Sequence, residues 1–401
     1  MEYVVSDNMK NIKISMIRTI SEMAKKNMEP QDRFISFAAG FPATDALPDD
    51  IVSRYSAEVL EEQGKEILQY GTATGYEPLK KAIRKFINTH ETIASDDDDI
   101  MITYGSNEIM YFAAALFVNP GDTIIVENPT FMNAINQYKL LGANVVGVPV
   151  EDDGVNIQLL EEAMKKGAKF FYTIPTFGNP SSITMSEEKR KAVYDLAVKY
   201  HVLILEDNPY GYLRFHGKTV PTIKSLDKEG IVMYAGTFSK IISPGMRTGY
   251  LCANKALITK FNALKSASSN ANVNWSQYTI AKFLENTNMD DHIAKISKIY
   301  EHKAMTMYNM MVKCFPKSVT ITKPEGGLFI WVTMPKGAKA LPFCEEVAKK
   351  LHISIVPGNE FCTIDPDDCT SMRFSYSLPS DEDIEYGIEQ VGKMMTTYCQ
   401  L

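Results

Sequence analysis

The chain has 401 residues, 45% of them hydrophobic, and sets 42 Lys and Arg against 49 Asp and Glu for a formal net charge of −7. At roughly 100–200 residues per domain this length implies two or three domains and a core of enzyme size, with nothing repetitive or low in complexity. The acidic balance excludes the basic face that a nucleic-acid surface requires and fits a protein handling small molecules.

In chain order, residues 1–19 mix Glu2, Asp7, Lys10 and Lys13 with apolar side chains and show no signal-peptide pattern, so a cytoplasmic location is expected. The segment 1–47 has no strong period of its own and is expected to pack onto a smaller domain at the far end of the chain. The acidic run 96–99 reads as a solvated loop ahead of a strand rather than a metal site. From 100 to about 264, short β-rich runs (100–103, 123–126, 144–148, 169–174, 202–205, 231–235 and 250–253) alternate with helical stretches (107–116, 133–141, 157–166 and 187–200). Strands that are continuously apolar and separated by helices predict an α/β architecture, a mostly parallel sheet covered on both faces. The longest clean apolar run, 112–118, is too short to span a bilayer. A charged amphipathic stretch without Gly or Pro predicts one long helix over 290–313. The mixture beyond it (320–321, 329–333, 343–351, 353–356, 372–375 and 381–398) predicts a smaller α+β domain. The expected division is therefore an N-terminal segment 1–47, a large domain 48–288 and a small domain 289–401. The cysteines (Cys252, Cys314, Cys344, Cys362, Cys369, Cys399) include no C-x-x-C pair and read as reduced thiols, and the scattered histidines make a metal unexpected.

Four strand ends carry chemistry. Lys240 follows an apolar strand among Thr237, Ser239, Pro244, Gly245 and Arg247, at the sheet edge where open α/β folds bind ligands. Alone it could be an exposed loop lysine, but two hydroxyls and a guanidinium make a phosphate cradle, and a lysine beside a bound phosphate fits a pyridoxal-phosphate Schiff base. The run from Leu203 delivers Asp207 to a strand end, while the adjacent Glu206 points to the opposite side. A carboxylate there suits a pyridine nitrogen, and Tyr210 could donate to the ring's O3′. Asn179, before Pro180, is a rigidly held amide or simply a turn residue. Gly105, Ser106 and Asn107 open a helix whose N-terminus can receive an anion, although Ser106 could equally be an N-cap.

With further segments at Gly40, Tyr70-Gly71, Glu127 to Phe131, Gly326-Gly327, Val356 to Gly358 and Arg373 to Ser375, the set resembles class I aminotransferases of pyridoxal-phosphate fold type I. The likeness is nearest to the α-aminoadipate, aromatic and broad-specificity branch and runs from about residue 15 to the end. It implies that Lys240 bonds the cofactor, Asp207 pairs with its ring nitrogen, and Asn179 and Tyr210 hold O3′. Ser106, the backbone of Asn107, Thr237, Ser239 and Arg247 would take the phosphate, and Phe131 would stack on the ring. Tyr70 would reach the phosphate of a second subunit, implying a homodimer with shared sites. Arg373 would clamp the substrate α-carboxylate, helped by the backbone at Gly40 and by Asn179; otherwise it is a surface salt bridge. Lys240 would then shuttle a proton as a partly neutral amine, its pKa lowered by burial and by the ring's charge.

Three departures stand out: Phe131 replaces a usual Tyr, Ser181-Ser182 replaces Thr-Gly, and Glu108 places a negative charge at the helix start. A β-lyase or decarboxylase on the same residues is the alternative reading. A non-enzymatic regulator is a weaker one, because it calls for an added basic helix-turn-helix. Neither a P-loop nor a dinucleotide fingerprint is present.

Overall fold

A computed structural model of the chain describes residues 3–10, 16–26, 28–29 and 32–400, so the opening stretch 1–19 lies partly outside the described residues. In chain order the strands are β1 (Ile35–Ser36), β2 (Asp98–Thr103), β3 (Thr123–Asn128), β4 (Asn144–Glu151), β5 (Gly154–Val155), β6 (Phe170–Thr173), β7 (Leu203–Asp207), β8 (Val232–Thr237) and β9 (Gly249–Asn254). They continue with β10 (Thr320–Ile321), β11 (Phe329–Thr333), β12 (Ile353–Ser354), β13 (Val356–Pro357) and β14 (Ser371–Ser375).

The large sheet has the order β2-β9-β8-β7-β6-β3-β4-β5. Its central strands β8, β7, β6, β3 and β4 run parallel, while β9 is antiparallel to both β8 and β2. Ile124, Val126, Phe170, Tyr172 and Leu205 pack on one face with the helices Ser106–Phe117, Met132–Leu140 and Lys255–Ala267. Ile125, Phe171 and Ile204 pack on the other, against Ile157–Lys165 and Glu187–Tyr200. Both faces of β3, β6 and β7 are therefore dry, which is why the sequence reads there as unbroken apolar runs. The architecture is the α/β sheet covered on both faces that the sequence predicts.

The helix Met289–Cys314 begins at Asn288, whose side chain accepts from the N–H groups of Asp290 and Asp291. It leads into the antiparallel sheet β10-β11-β14-β13. The expected single strand 353–356 is two. At Ile353–Ser354 it pairs in parallel with β1, and at Val356–Pro357 antiparallel with β14, so the chain changes partners at Ile355. In the N-terminal segment the helix Met16–Lys25 buries Ile20 and Ala24, and it contacts the helix Ala340–Leu351.

Asp96 and Asp97 are exposed ahead of β2 as expected, but the acidic run departs from its solvated state at Asp98. Asp98 is buried, its carboxylate takes Lys224 Nζ at 2.8 Å, and Lys224 also reaches Asp227 at 2.8 Å. The partner lies 126 residues away, so no local pattern marks it. Among the described residues no group of three His, Cys, Asp or Glu could hold a metal, and no helix is long and apolar enough to cross a membrane. All six cysteines are free.

Candidate active site

The loops that follow β2, β3, β6, β7 and β8 leave the sheet at its carboxyl edge, where parallel strands open a crevice. They supply Ser106 and Asn107, Phe131, Asn179, Asp207 and Tyr210, and Thr237 to Arg247 respectively. Arg373 comes from β14 of the small sheet, and Gly40 from the stretch after β1.

Lys240 Nζ donates to the Gly40 carbonyl at 2.8 Å. Its amine has no carboxylate partner, and burial, aided by the positive charges of Arg373 and Arg247, pushes its pKa down to about 8. Asp207 is 2% exposed at the end of β7. Tyr172 Oη donates to its Oδ2 at 2.9 Å, while Oδ1 is buried and lacks a partner of hydrogen-bonding geometry. Burial pushes this carboxyl up to about 7, and the hydroxyls of Tyr172 and Ser106 only partly pull it back. Glu206 does point to the other side, where it accepts from the N–H groups of Ile223 (3.0 Å) and Lys224 (2.7 Å).

Arg373 is 2% exposed. Its Nη1 donates to Asn179 Oδ1 at 2.8 Å and its Nη2 to the Ala38 carbonyl at 2.7 Å, while Nε has no partner. The guanidinium lies 4.1 Å from the Phe329 ring and 5.0 Å from that of Phe361, and burial lowers its pKa to about 10. Arg373 is therefore no surface salt bridge. Tyr210 packs edge-on to Phe329, and burial raises its hydroxyl pKa although Arg373 and Asn179 oppose the shift. Asn179, Arg373 and Tyr210 thus form one connected group, with the Lys240 amine within reach of the Arg373 charge.

At the other end, Thr237 Oγ1 lies 2.9 Å from Ser239 Oγ. Arg247 Nη2 donates to the Tyr104 carbonyl at 3.1 Å, which holds the guanidinium beside the start of the helix Ser106–Phe117. That helix has no side-chain cap, so its first N–H groups face the cradle. Gly105, with φ +74°, and Gly249 make the close approach possible. A Cβ on Gly105 would come within 2.6 Å of Arg247 Nη2, and one on Gly249 within 2.6 Å of the Gly105 backbone. Sequence reading passed over Gly249, although its register opposite both Thr103 and Thr237 is what joins the two halves of the cradle.

Phe131 is half-buried where the chain enters the helix Met132–Leu140. Tyr70 is not gathered in: it is 90% exposed, in a loop whose Gln69 carbonyl accepts from Asn274 Nδ2 at 2.7 Å. Ser181 and Ser182 are buried rather than lining the crevice freely, and Ser182 Oγ donates to the Phe329 carbonyl at 2.6 Å. Glu108 turns away from the cradle toward Lys265 and Ser269.

Pyridoxal phosphate fits these residues. The unpartnered Asp207 Oδ1 calls for a cationic N–H, and an uncapped helix start beside two hydroxyls and a guanidinium calls for a dianion. A half-buried amine that is partly neutral near pH 8 suits attack on an aldehyde.

Comparison with known proteins gives a consistent picture. The family described as aminotransferase class I and II matches residues 32–391. An aromatic-amino-acid aminotransferase of Thermococcus litoralis is 36% identical over 398 residues, covering 98% of this chain and 94% of that protein. Two solved structures superpose closely. One is a multiple substrate aminotransferase of Thermococcus profundus, with a TM-score of 0.93, 34% identity and coverage of 99% of this chain and 98% of that one. The other is a Pyrococcus horikoshii kynurenine aminotransferase bound to PMP, with a TM-score of 0.92, 32% identity and coverage of 98% and 97%.

Proposed function

Since the chain belongs to the class I and II aminotransferases and is a pyridoxal-phosphate-dependent transaminase, we propose that Lys240 bonds the cofactor and that Asp207 faces its ring nitrogen. The observation that carries this reading is the half-buried Lys240 amine, which donates to a backbone carbonyl instead of a carboxylate and whose pKa is pushed down to about 8. Ser106, the backbone of Asn107, Thr237, Ser239 and Arg247 would take the phosphate. Asn179 and Tyr210 would hold O3′, and Phe131 would lie against the ring. The bound cofactor supplies an electron sink for the charge left when the substrate's α-proton is removed. Lys240 Nζ, as a neutral amine, would take that proton from the substrate's α-carbon and hand it back to the cofactor carbon that ends up bearing the amino group, which frees the 2-oxo acid on hydrolysis. Asp207 holds the proton of the ring nitrogen in place, and Arg373 fixes the α-carboxylate with Gly40 backbone nearby. Amino donor and 2-oxo acid then use one site in turn, a ping-pong sequence.

The donors proposed are L-amino acids with aromatic side chains, supported by the names of the similar proteins. A donor screen with 2-oxoglutarate as acceptor tests this. Arg373→Ala should raise KM for the best donor roughly 10²-fold, the scale of two charge-assisted hydrogen bonds, with a smaller effect on kcat. Turnover by no aromatic donor, or an unchanged KM in the variant, would remove the assignment.

A homodimer is part of the same reading. The exposed ring of Tyr70, on a loop pinned by Asn274, is available to the phosphate of a second copy. A fully active monomer in sedimentation experiments would refute it. The division into 1–47, 48–288 and 289–401 is likewise proposed, and the pairing of β1 with β12 supports grouping the first with the last. The cytoplasm is the proposed location, which cell fractionation would decide.

A further inference from the structure

We propose that Lys265 is a positioning residue for cofactor binding: by neutralising Glu108, it keeps the positive end of the helix Ser106–Phe117 available to the phosphate. The inference rests on the cofactor site proposed above.

Glu108 lies in the first turn of that helix, two positions beyond Ser106. A carboxylate there is attracted by the same unpaired N–H groups that would receive a phosphate, and it repels the phosphate itself. The structure diverts it. Glu108 Oε2 accepts from the Tyr104 N–H at 3.0 Å and from Lys265 Nζ at 2.8 Å, and Oε1 accepts from Ser269 Oγ at 2.6 Å. Lys265 is 0% exposed. Its ammonium lies 4.9 Å from the Tyr104 ring centroid and 5.7 Å from that of Phe112, and it donates to Ser269 Oγ at 3.1 Å.

Lysines are seldom fully buried without a reason for their charge. Here it meets one carboxylate and cancels it. Tyr104 connects this pair to the cradle, because its N–H goes to Glu108 and its carbonyl accepts from Arg247 Nη2. Deleting the Lys265 charge leaves Glu108 free to compete for the helix start and to pull Tyr104 away from Arg247. The penalty falls on a phosphorylated ligand and spares the same ligand without its phosphate.

The full-length chain, stripped of cofactor, would be titrated calorimetrically with pyridoxal phosphate and, separately, with pyridoxal. Lys265→Met is expected to weaken pyridoxal phosphate binding about tenfold or more while leaving pyridoxal nearly unchanged. Adding Glu108→Gln should restore the affinity to within about threefold of wild type, because the two charges are removed together. Glu108→Gln alone should hold or improve the preference for the phosphorylated form. It carries the test even if the single Lys265 variant does not fold. Wild-type affinity in Lys265→Met, equal losses for both ligands, no recovery in the double variant, or a lost preference in Glu108→Gln would each overturn the inference. Were wild type itself to bind the two ligands equally weakly, the cofactor-site reading would fall as well.

Discussion

Lys240→Ala is expected to lower kcat by ~10³-fold or more with every amino donor, because in the proposed reading one side chain provides both the attachment point and the proton carrier. The variant should still fold, since Nζ makes one hydrogen bond, to a carbonyl, and no ion pair that its loss would strand. Circular dichroism would check the fold, and reduction with borohydride would check attachment. A borohydride-fixed adduct in the variant, or turnover within tenfold of wild type, would place the attachment elsewhere. The lowered pKa adds a pH dependence. Only the neutral amine attacks an aldehyde, so cofactor uptake by the stripped protein should climb about tenfold per pH unit below 8 and level off above it.

The second large effect belongs to Asp207, and it has two opposite parts. Asp207→Asn keeps an acceptor for Tyr172 Oη but cannot balance a protonated ring nitrogen, so kcat should fall ~10²-fold or more. Without cofactor the same change should stabilise the protein. A carboxyl whose folded pKa, about 7, lies above its unfolded value binds more protons when folded, so its contribution to stability declines as pH rises from about 4 to about 7. The amide does not ionise and escapes that decline. Melting curves of stripped wild type and variant should therefore converge near pH 4 and separate toward pH 7, with the variant melting higher. A variant that melts lower at pH 7 would show that the carboxylate is not held at a cost.

Much of this arrangement could be read from the chain because the sheet is dry on both sides. Residues 123–126 and 202–205 read as strands and 290–313 as one long helix, and their observed limits lie within a few residues. The helices Asp49–Ile67, Glu77–Ile87, Lys255–Ala267 and Asn274–Asn286 were not picked out individually. Lys255–Ala267 shows why: the fully buried Lys265 stands on its inner face where an apolar residue would have marked the period. Asp98 was misread for a related reason. A buried charge looks like a surface charge until its partner, here Lys224, is known. The strand-end loops could be located from local order alone, but their cross-connections could not. Arg373 and Asn179 lie 194 residues apart, Lys240 and Gly40 lie 200 apart, and the Tyr172 hydroxyl reaches Asp207 from a neighbouring strand.

The Arg373–Asn179 hydrogen bond fastens the small sheet to the loop after β6, and the Ser182–Phe329 bond beside it does the same. The bonds from Arg373 to Asn179 and Ala38 leave other N–H groups of the guanidinium, Nε among them, so in the proposed role a substrate carboxylate would join the internal amide on Arg373 rather than displace it. Occupancy of the crevice would in this way be felt at the seam between the small sheet and the loop after β6, because the latch there and the proposed recognition arginine are the same side chain.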